Sequence, residues 1–404
     1  MKKKKILLLS DHLMSTSGVG VQSRYLMNGL VEKGCWTVRQ LGAAMKHANH
    51  DVVQPHADII IKPIDGFGNP AMLKQLLATE KPDVLILFTD PRFFIWVWEM
   101  EDEIHQICPI AYWHVWDNHP WPDYNRVLYE STDLINCHSH LTYELVSERF
   151  PEKTNFIPHA LPEDIFFKMP EEEIKNQKAN LLGDAKRKRP NDVLVCWKMF
   201  LDKLEKEEGH RNATLIMHTN PTDQEGPNLL ASMNMLELNE NVFFSTQSID
   251  FSQMNILHNV ADFCINIALN EGFGLATLES MQAGNPIIAT KTGGLTRQVV
   301  DHRDGSENGF ALEPDVRSLV GSQMVPYIYE DYVQNEKVSD AIYKMYAMGP
   351  EARKALGEKA RNYVLSEFNI QNTIDQWHDS LWELTEKWKS DKESIYKSWE
   401  MVEF

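Results

Sequence analysis

Short apolar runs alternate with amphipathic stretches along most of this chain, and this alternation restricts its fold more than any other feature. In the first 160 residues, apolar runs of strand length occur at 5–9, 37–40, 58–61, 83–88, 110–113 and 133–137. Segments with helical periodicity lie between most of them, at 21–33, 70–79 and 141–150. Strand and helix in repetition predict a parallel sheet that is covered by helices on both faces.

The same pattern resumes after about residue 190, so the sequence predicts a second α/β unit. Strands are expected at 213–218, 242–245, 262–267 and 286–290, with helices at 191–206, 251–259 and 275–283. A length of 404 residues also favours two domains over one. We therefore expect four regions: a Rossmann-like domain at 1–160, a linker at 161–189, a second Rossmann-like domain at 190–365, and a helix at 366–404.

The last region has apolar residues at steps of three or four from Ile370 to Val402, which is the periodicity of a long amphipathic helix. An apolar stripe of that length must pack on another part of the chain. We expect the helix to return to the first domain.

Composition excludes several classes of protein. The net charge is −18, with 40 basic and 58 acidic residues, which disfavours a stable nucleic acid partner. The five cysteines are scattered and fit neither a disulfide framework nor a CxxC metal site, so a reducing cytoplasm is favoured. No apolar run is long enough for a transmembrane segment, and a soluble protein is expected.

A glycine-rich turn in the second domain carries the strongest functional signal. Gly272, Phe273, Gly274 and Leu275 follow an apolar strand and precede a helix, and such a turn lets backbone N–H groups approach an anion such as a diphosphate. Glu271 and Glu279 flank it. Both carboxylates would repel a phosphate, so each is expected to accept hydrogen bonds from neutral hydroxyls. Taken alone, however, the pair is read more readily as a loop charge and a helix-surface residue.

The longer string favours function. It runs from Glu271-Gly272-Phe273-Gly274-Leu275 through Leu278-Glu279-Ser280-Met281, Gly284 and Pro286-Ile287-Ile288-Ala289-Thr290 to Gly293-Gly294. This string resembles the signature of retaining GT-B glycosyltransferases of the family 4 type.

The resemblance implies a fold of two Rossmann-like domains facing across a cleft. It implies transfer of a sugar from a nucleotide sugar, UDP- or GDP-linked, to a hydroxyl acceptor, with retention of anomeric configuration and without a metal ion, another cofactor or a covalent enzyme intermediate. By the same resemblance, Glu271 contacts the donor sugar and Glu279 the ribose, and the amides around Phe273 face the diphosphate.

The first domain agrees with this resemblance. The loop with Gly18 and Gly20 is similar to the glycine loop that approaches the donor phosphate in the family. His114 ends an apolar strand where the family carries a functional histidine, although a structural histidine remains an open alternative. Trp116 and Trp121 lie in a loop of the domain that would bind the acceptor, and their rings suit sugar stacking.

One departure from the family stands ahead of the second domain. Family members begin this domain with an apolar strand that ends in an arginine and is followed by a lysine, and the two cations hold the diphosphate. Here Lys188, and second to it Arg187, are the candidates for that contact, while residues 178–185 show no apolar strand. A solvated basic turn is an equal alternative.

Two other functions stay open. One is a glycosyltransferase that acts on modified nucleobases in DNA, and the other is a nucleotide-sugar-binding protein whose catalysis has lapsed. The sequence leaves the donor sugar, its base, the acceptor and the oligomeric state undetermined.

Overall fold

In a computed structural model, residues 2–44, 49–178, 189–224, 226–247 and 249–395 are described. They fall into two compact units. The first unit is built from the described residues within 1–160, 321–328 and 370–404, and the second from those within 161–320 and 329–369.

The first unit contains one sheet of eight strands. They are β1 (Lys4–Asp11), β2 (Trp36–Ala43), β3 (Val53–His56), β4 (Ile59–Pro63), β5 (Val84–Phe88), β6 (Ile110–His114), β7 (Leu134–Cys137) and β8 (Thr154–Phe156). Their order is β3-β4-β2-β1-β5-β6-β7-β8, and only the pairing of β3 with β4 is antiparallel. The apolar run of β1 is wholly buried because both faces of the sheet are covered.

Helices cover this sheet. The longer helices are α1 (Gly18–Glu32), α2 (Pro70–Glu80) and α6 (His140–Ser147). The short helices are α3 (Ile95–Trp98), α4 (Glu101–His105) and α5 (Arg126–Glu130). The long carboxyl-terminal helix, Ile370–Ile395, also belongs to the first unit. Its Trp377 lies against Trp113 of β6 with ring centroids 4.8 Å apart, and Ile374 packs where Gly29 of α1 has no side chain. The helix therefore completes the core of the first unit, although it begins at residue 370 and not 366.

The second unit has its parallel strands in two separate groups. The strands are β9 (Leu215–His218), β10 (Val242–Ser245), β11 (Cys264–Asn266), β12 (Ile287–Thr290) and β13 (Gly309–Leu312). Within the described residues, β9 pairs only with β10, and β11 pairs only with β12, which in turn pairs with β13. A cavity of about 1520 Å³ borders every residue of 213–218 and of 262–266. Because neighbouring side chains of a strand point to opposite faces, contact with consecutive residues means that the cavity runs along the strand edges.

The other elements of the second unit are α7 (Glu171–Lys178), α8 (Pro190–Glu208), α9 (Leu229–Met235), α10 (Phe251–Val260), α11 (Leu275–Gln282), α12 (Thr296–Val299), β14 (Val316–Val320), β15 (Ile328–Tyr332), α13 (Asn335–Ala347) and α14 (Gly349–Glu367). The carboxyl-terminal helix of the first unit is α15 (Ile370–Ile395). Strands β14 and β15 pair only with each other in the described part of the chain.

The segment expected as a linker is in part a packed piece of the second unit. The amides of Phe167 and Met169 donate to the side-chain oxygens of Asn255 and Asn259 on α10, at 3.1 and 2.8 Å. Phe166 is 1% exposed. The backbone of this segment thus bonds to side chains of α10, which the composition of the segment did not reveal. Among the helices of the described residues, none is both long and apolar enough to cross a membrane.

Candidate active site

Helix α11 begins at the glycine-rich turn that the sequence singled out. Gly274 precedes it with φ 96°, a conformation that favours glycine, and a Cβ there would lie 2.6 Å from Leu295 Cδ2. No side chain caps the helix. The first amides of a helix have no carbonyl partner within it, so the uncapped start of α11 presents N–H groups and a positive dipole end. This arrangement suits a phosphate.

Residues between β12 and the end of α12 hold the turn in place. The Gln298 amide donates to the Phe273 carbonyl at 2.7 Å, and the Gly294 N–H donates to the Glu271 carbonyl at 2.8 Å. A Cβ on Gly294 would come within 2.5 Å of Phe273 Cα, so only glycine permits this close approach. The Phe273 ring is buried against Phe368. The backbone from Glu271 to Gly274 is thus held by contacts with residues outside its own helix.

Glu279 lies in α11 and pairs with a residue that the sequence did not single out. His258, near the end of α10, places its Nε2 3.1 Å from Glu279 Oε2. The two side chains are 12% and 16% exposed. Both border the 1520 Å³ cavity, together with Thr277 and Ser280 of α11. The sequence carried no signal for this pair, because the residues are 21 positions apart and meet only through the packing of two helices.

Polar groups in the glycine loop of the first unit form hydrogen bonds that cap the start of α1. The Gly20 N–H donates to Ser17 Oγ at 3.1 Å, and Ser17 Oγ donates to Asp11 Oδ2 at 2.5 Å. A Cβ on Gly20 would lie 2.7 Å from the backbone carbonyl oxygen of His12, which explains this glycine by packing. Burial raises the pKa of the Asp11 carboxyl, and the hydrogen bond from Ser17 opposes that rise. Gly18 is exposed and starts α1, so the phosphate contact stays a prediction for Gly18 more than for Gly20.

His114 ends β6 and is wholly buried. Its Nε2 lies 3.0 Å from the Tyr129 hydroxyl, and its Nδ1 has no hydrogen-bond partner among the described residues. Burial, and then the nearby His138, lower the pKa of His114 to about 3. The imidazole is therefore neutral at neutral pH, and any role near a sugar must use it as an uncharged hydrogen-bonding group.

The two tryptophans expected to bind an acceptor are packed inside the first unit. Trp121 is 6% exposed and belongs to a core cluster, with its ring 4.8 Å from Tyr129 and its Nε1 bonded to Asp123. Trp116 is 8% exposed, and its Nε1 donates to the Pro120 carbonyl at 3.0 Å. Little of either ring is exposed, and a contact of Trp116 or Trp121 with an acceptor stays a prediction. Their position in a loop did not reveal that the loop folds back on the core.

Of the basic residues directly before α8, the structure describes Arg189. Lys188 and Arg187 lie outside the described residues. Arg189, the next residue, bonds through Nε to Asp192 at 2.9 Å and lies over the Tyr332 ring. As to metals, the described ranges contain no group of three or more His, Cys, Asp or Glu side chains placed to hold an ion.

Comparison with known proteins agrees with the sequence motif. The sequence model of the family described as Glycosyl transferases group 1 matches residues 183–322. This chain carries a group 1 glycosyltransferase domain. The match contains the glycine-rich turn, Glu271 and Glu279, so the resemblance inferred from those residues is confirmed.

Relatives of this glycosyltransferase domain are distant. Trehalose synthase of Pyrococcus horikoshii is 27% identical over 129 residues, which are 32% of this chain and 25% of that protein. The match thus spans a quarter of that relative's length.

Solved structures extend the likeness to the whole fold. Sucrose-phosphate synthase from Thermosynechococcus elongatus has a TM-score of 0.70 at 16% identity, over 95% of this chain and 100% of that one. An Anabaena protein solved in complex with UDP-glucose has a TM-score of 0.62 at 16% identity, over 94% and 99%. The predicted GT-B fold class is confirmed by these likenesses.

Proposed function

We propose that the chain is a retaining, metal-independent glycosyltransferase that moves a sugar from a nucleotide sugar to a hydroxyl acceptor. The observation that carries the proposal is the uncapped start of α11 behind Gly274, with Glu279 one turn further along the same helix. An anion-binding helix end and a carboxylate beside it match the two parts of a nucleoside diphosphate, its phosphates and its ribose. The Anabaena neighbour bound to UDP-glucose supports a nucleotide sugar as donor.

The reaction follows from the roles that the family resemblance implies. The acceptor oxygen bonds to the anomeric carbon on the face from which the diphosphate departs, and the departing phosphate oxygen takes the acceptor's proton. Amides of α11 stabilise the negative charge that grows on the diphosphate. Glu271 accepts hydrogen bonds from the donor sugar, and the resemblance implies a hydrogen-bonding role toward a sugar for neutral His114. A cytoplasmic location remains a prediction.

Nucleotide binding and turnover can be tested separately in the full chain. A thermal-shift screen with UDP, GDP, UDP-glucose and GDP-mannose should find a stabilising ligand, worth about 2.7 kcal/mol at 100 times its dissociation constant. Glu279→Ala should weaken that nucleotide tenfold or more, since a hydrogen bond to a charged group contributes roughly 1.5–3 kcal/mol. Glu271→Ala should keep nucleotide affinity and lose turnover of the nucleotide sugar, measured as transfer or as slow hydrolysis.

Glu313→Ala is the matched control, because that carboxylate is exposed and pairs with Lys291 on the surface of the same unit. The anomeric configuration of the product, read by NMR, tests retention. If no nucleotide stabilises the protein, the donor site is wrongly assigned. Binding without transfer or hydrolysis would instead favour a lapsed enzyme, and inverted product would refute retention alone.

A further inference from the structure

The His258–Glu279 pair has a fixed direction of hydrogen bonding. A carboxylate oxygen can only accept, so the imidazole Nε2 must carry the hydrogen. The bond of 3.1 Å uses Glu279 Oε2. The Glu279 side chain still reaches the cavity, which leaves its second oxygen as an acceptor for a ligand there.

The surroundings hold the imidazole in this position. Asn285 donates its side-chain amide to the His258 carbonyl at 2.6 Å and to Ser280 Oγ at 3.1 Å, which ties the end of α10 to α11. The His258 ring lies edge-on to Phe166, with centroids 6.2 Å apart. Both the backbone and the ring of His258 are therefore restrained, as positioning of a neighbouring side chain requires.

A second imidazole nearby does not compete. His218 of β9 also borders the cavity and makes its own contact, with Nδ1 3.4 Å from Ser245 Oγ. Burial, and then the proximity of His258, lower the pKa of His218 to about 3. His218 is thus neutral at neutral pH and does not oppose the pair electrostatically.

We propose that His258 is a positioning residue, which holds the Glu279 carboxylate so that its free oxygen receives the ribose hydroxyls of the nucleotide. The inference rests on the proposed function, because it assigns Glu279 to the ribose. To the ribose contact of Glu279 on α11 it adds His258, which lies on α10. Without His258, the carboxylate would turn among several rotamers and would lose part of its preference for a ribose over a sugar that lacks hydroxyls.

The test compares a nucleotide with the same nucleotide without ribose hydroxyls. Whichever of UDP and GDP binds the wild-type chain is titrated by calorimetry beside its 2′,3′-dideoxy form. The wild type should prefer the ribonucleotide. In His258→Leu, the ribonucleotide should bind about tenfold more weakly, which corresponds to about 1.4 kcal/mol. The dideoxy form should bind both proteins equally, within a factor of two.

Three variants separate positioning from folding. His258→Gln should restore most of the ribonucleotide affinity, because the glutamine amide can donate from a position close to that of Nε2. Glu279→Gln combined with His258→Leu should be no weaker than Glu279→Gln alone, since residues in direct contact are not additive. His210→Leu is the matched control, because His210 lies beside Glu208 in the same unit, and its expected affinity is that of the wild type. Should His258→Leu fail to fold, His258→Asn replaces it, because its shorter amide cannot reach Glu279 Oε2.

An equal loss for both nucleotides would assign His258 a structural role and overturn the inference. Unchanged affinity for both would overturn it as well. These failures differ from failure of the proposed function, in which the wild type itself would bind neither UDP nor GDP, or would not distinguish ribose from dideoxyribose.

Discussion

The described strands of the two units differ in how many neighbours they pair with. In the first unit, β1 lies between β2 and β5, and its residues Ile6 to Leu9 are 0% exposed. In the second unit, β9 and β11 have one partner each among the described residues, and Ile216 and Ile265 are only partly buried. The sequences of β1, β9 and β11 all contain short apolar runs. An apolar run therefore predicts a strand, whereas its burial depends on the neighbours that the rest of the chain supplies.

The difference has a consequence for function. The cavity beside β9 and β11, strands with one partner each in the described ranges, is the same cavity that Glu279 and His258 border. The candidate donor site thus stands next to strands that have one partner each among the described residues, while the sheet of the first unit is continuous. Regions with few buried contacts open locally at lower free energy than a closed core, and binding sites are often drawn from them.

Amide hydrogen exchange should show the largest contrast between the two sheets. In a parallel strand, successive amides point to opposite sides. Because Leu215 donates to Asn241 and Cys264 to Pro286, the amides of Ile216 and Ile265 point toward the cavity. They should exchange at least roughly a thousandfold faster than Ile86 of β5, a difference of about 4 kcal/mol in opening free energy. Mass spectrometry with fragmentation of the peptides that contain these strands measures the rates.

Peptides from β12 provide the internal control, because this strand has β11 on one side and β13 on the other. Their amides should exchange as slowly as the stability of the second unit allows. Equal protection of Ile216, Ile265 and the β12 amides would mean that another strand fills the space between β9 and β11 in solution. The contrast between the two sheets would then disappear.

A matched pair of core substitutions gives the next largest effect. Ile86→Ala removes a wholly buried side chain between two strands and should lower the free energy of unfolding by about 2–5 kcal/mol. Ile265→Ala removes a partly buried side chain beside an existing cavity, so little new cavity forms, and the loss should stay below about 1.5 kcal/mol. Urea denaturation followed by circular dichroism measures both. A loss at Ile265 as large as that at Ile86 would show that β11 is as tightly packed as β5.

The same contrast explains which parts of the fold could be predicted from the sequence. The strand expected at 242–245 occurs as Val242–Ser245, because a turn at 239–241 precedes the short apolar run and polar residues follow it. The strand expected at 262–267 is reduced to Cys264–Asn266. Apolar residues continue beyond the paired positions, but β11 has a single partner strand in the part of the chain that the structure describes, so fewer hydrogen bonds extend it. Sequence propensity predicts that a segment forms a strand, whereas pairing with neighbouring strands decides how long the strand is.

Some residues of the candidate site could be predicted from the sequence and others could not. The glycine-rich turn and Glu279 could be found from sequence, because their spacing within one strand-turn-helix unit sets their geometry. His258 could not, since it reaches Glu279 from another helix. Trp121 lies in a loop as expected, but its burial could not be predicted, because only the packing of Tyr129 and Phe150 against its ring shows that it belongs to the core.

Acidification should give the smallest of the three contrasts, and it acts on the first unit through His114. The pKa of this buried imidazole is about 3, against about 6.5 in an unfolded chain. Below pH 6.5 the unfolded chain takes up a proton that the folded chain refuses, so stability is lost as the pH falls from about 6.5 toward 3. At pH 5 this one group should cost roughly 2 kcal/mol. His159, whose pKa burial also holds well below its usual range, adds to the loss in the same unit.

His114→Gln isolates this effect, because glutamine can still bond to Tyr129 but does not titrate. Urea denaturation at pH 7 and pH 5 should show the wild type losing about 2 kcal/mol more than the variant over that interval. His302→Gln, on the surface of the second unit beside Arg297, should keep the pH dependence of the wild type. If His114→Gln lost as much stability as the wild type, His114 would be open to protons in the folded chain. The closed character of the first sheet would then end at the carboxyl end of β6, where a sugar could reach this histidine.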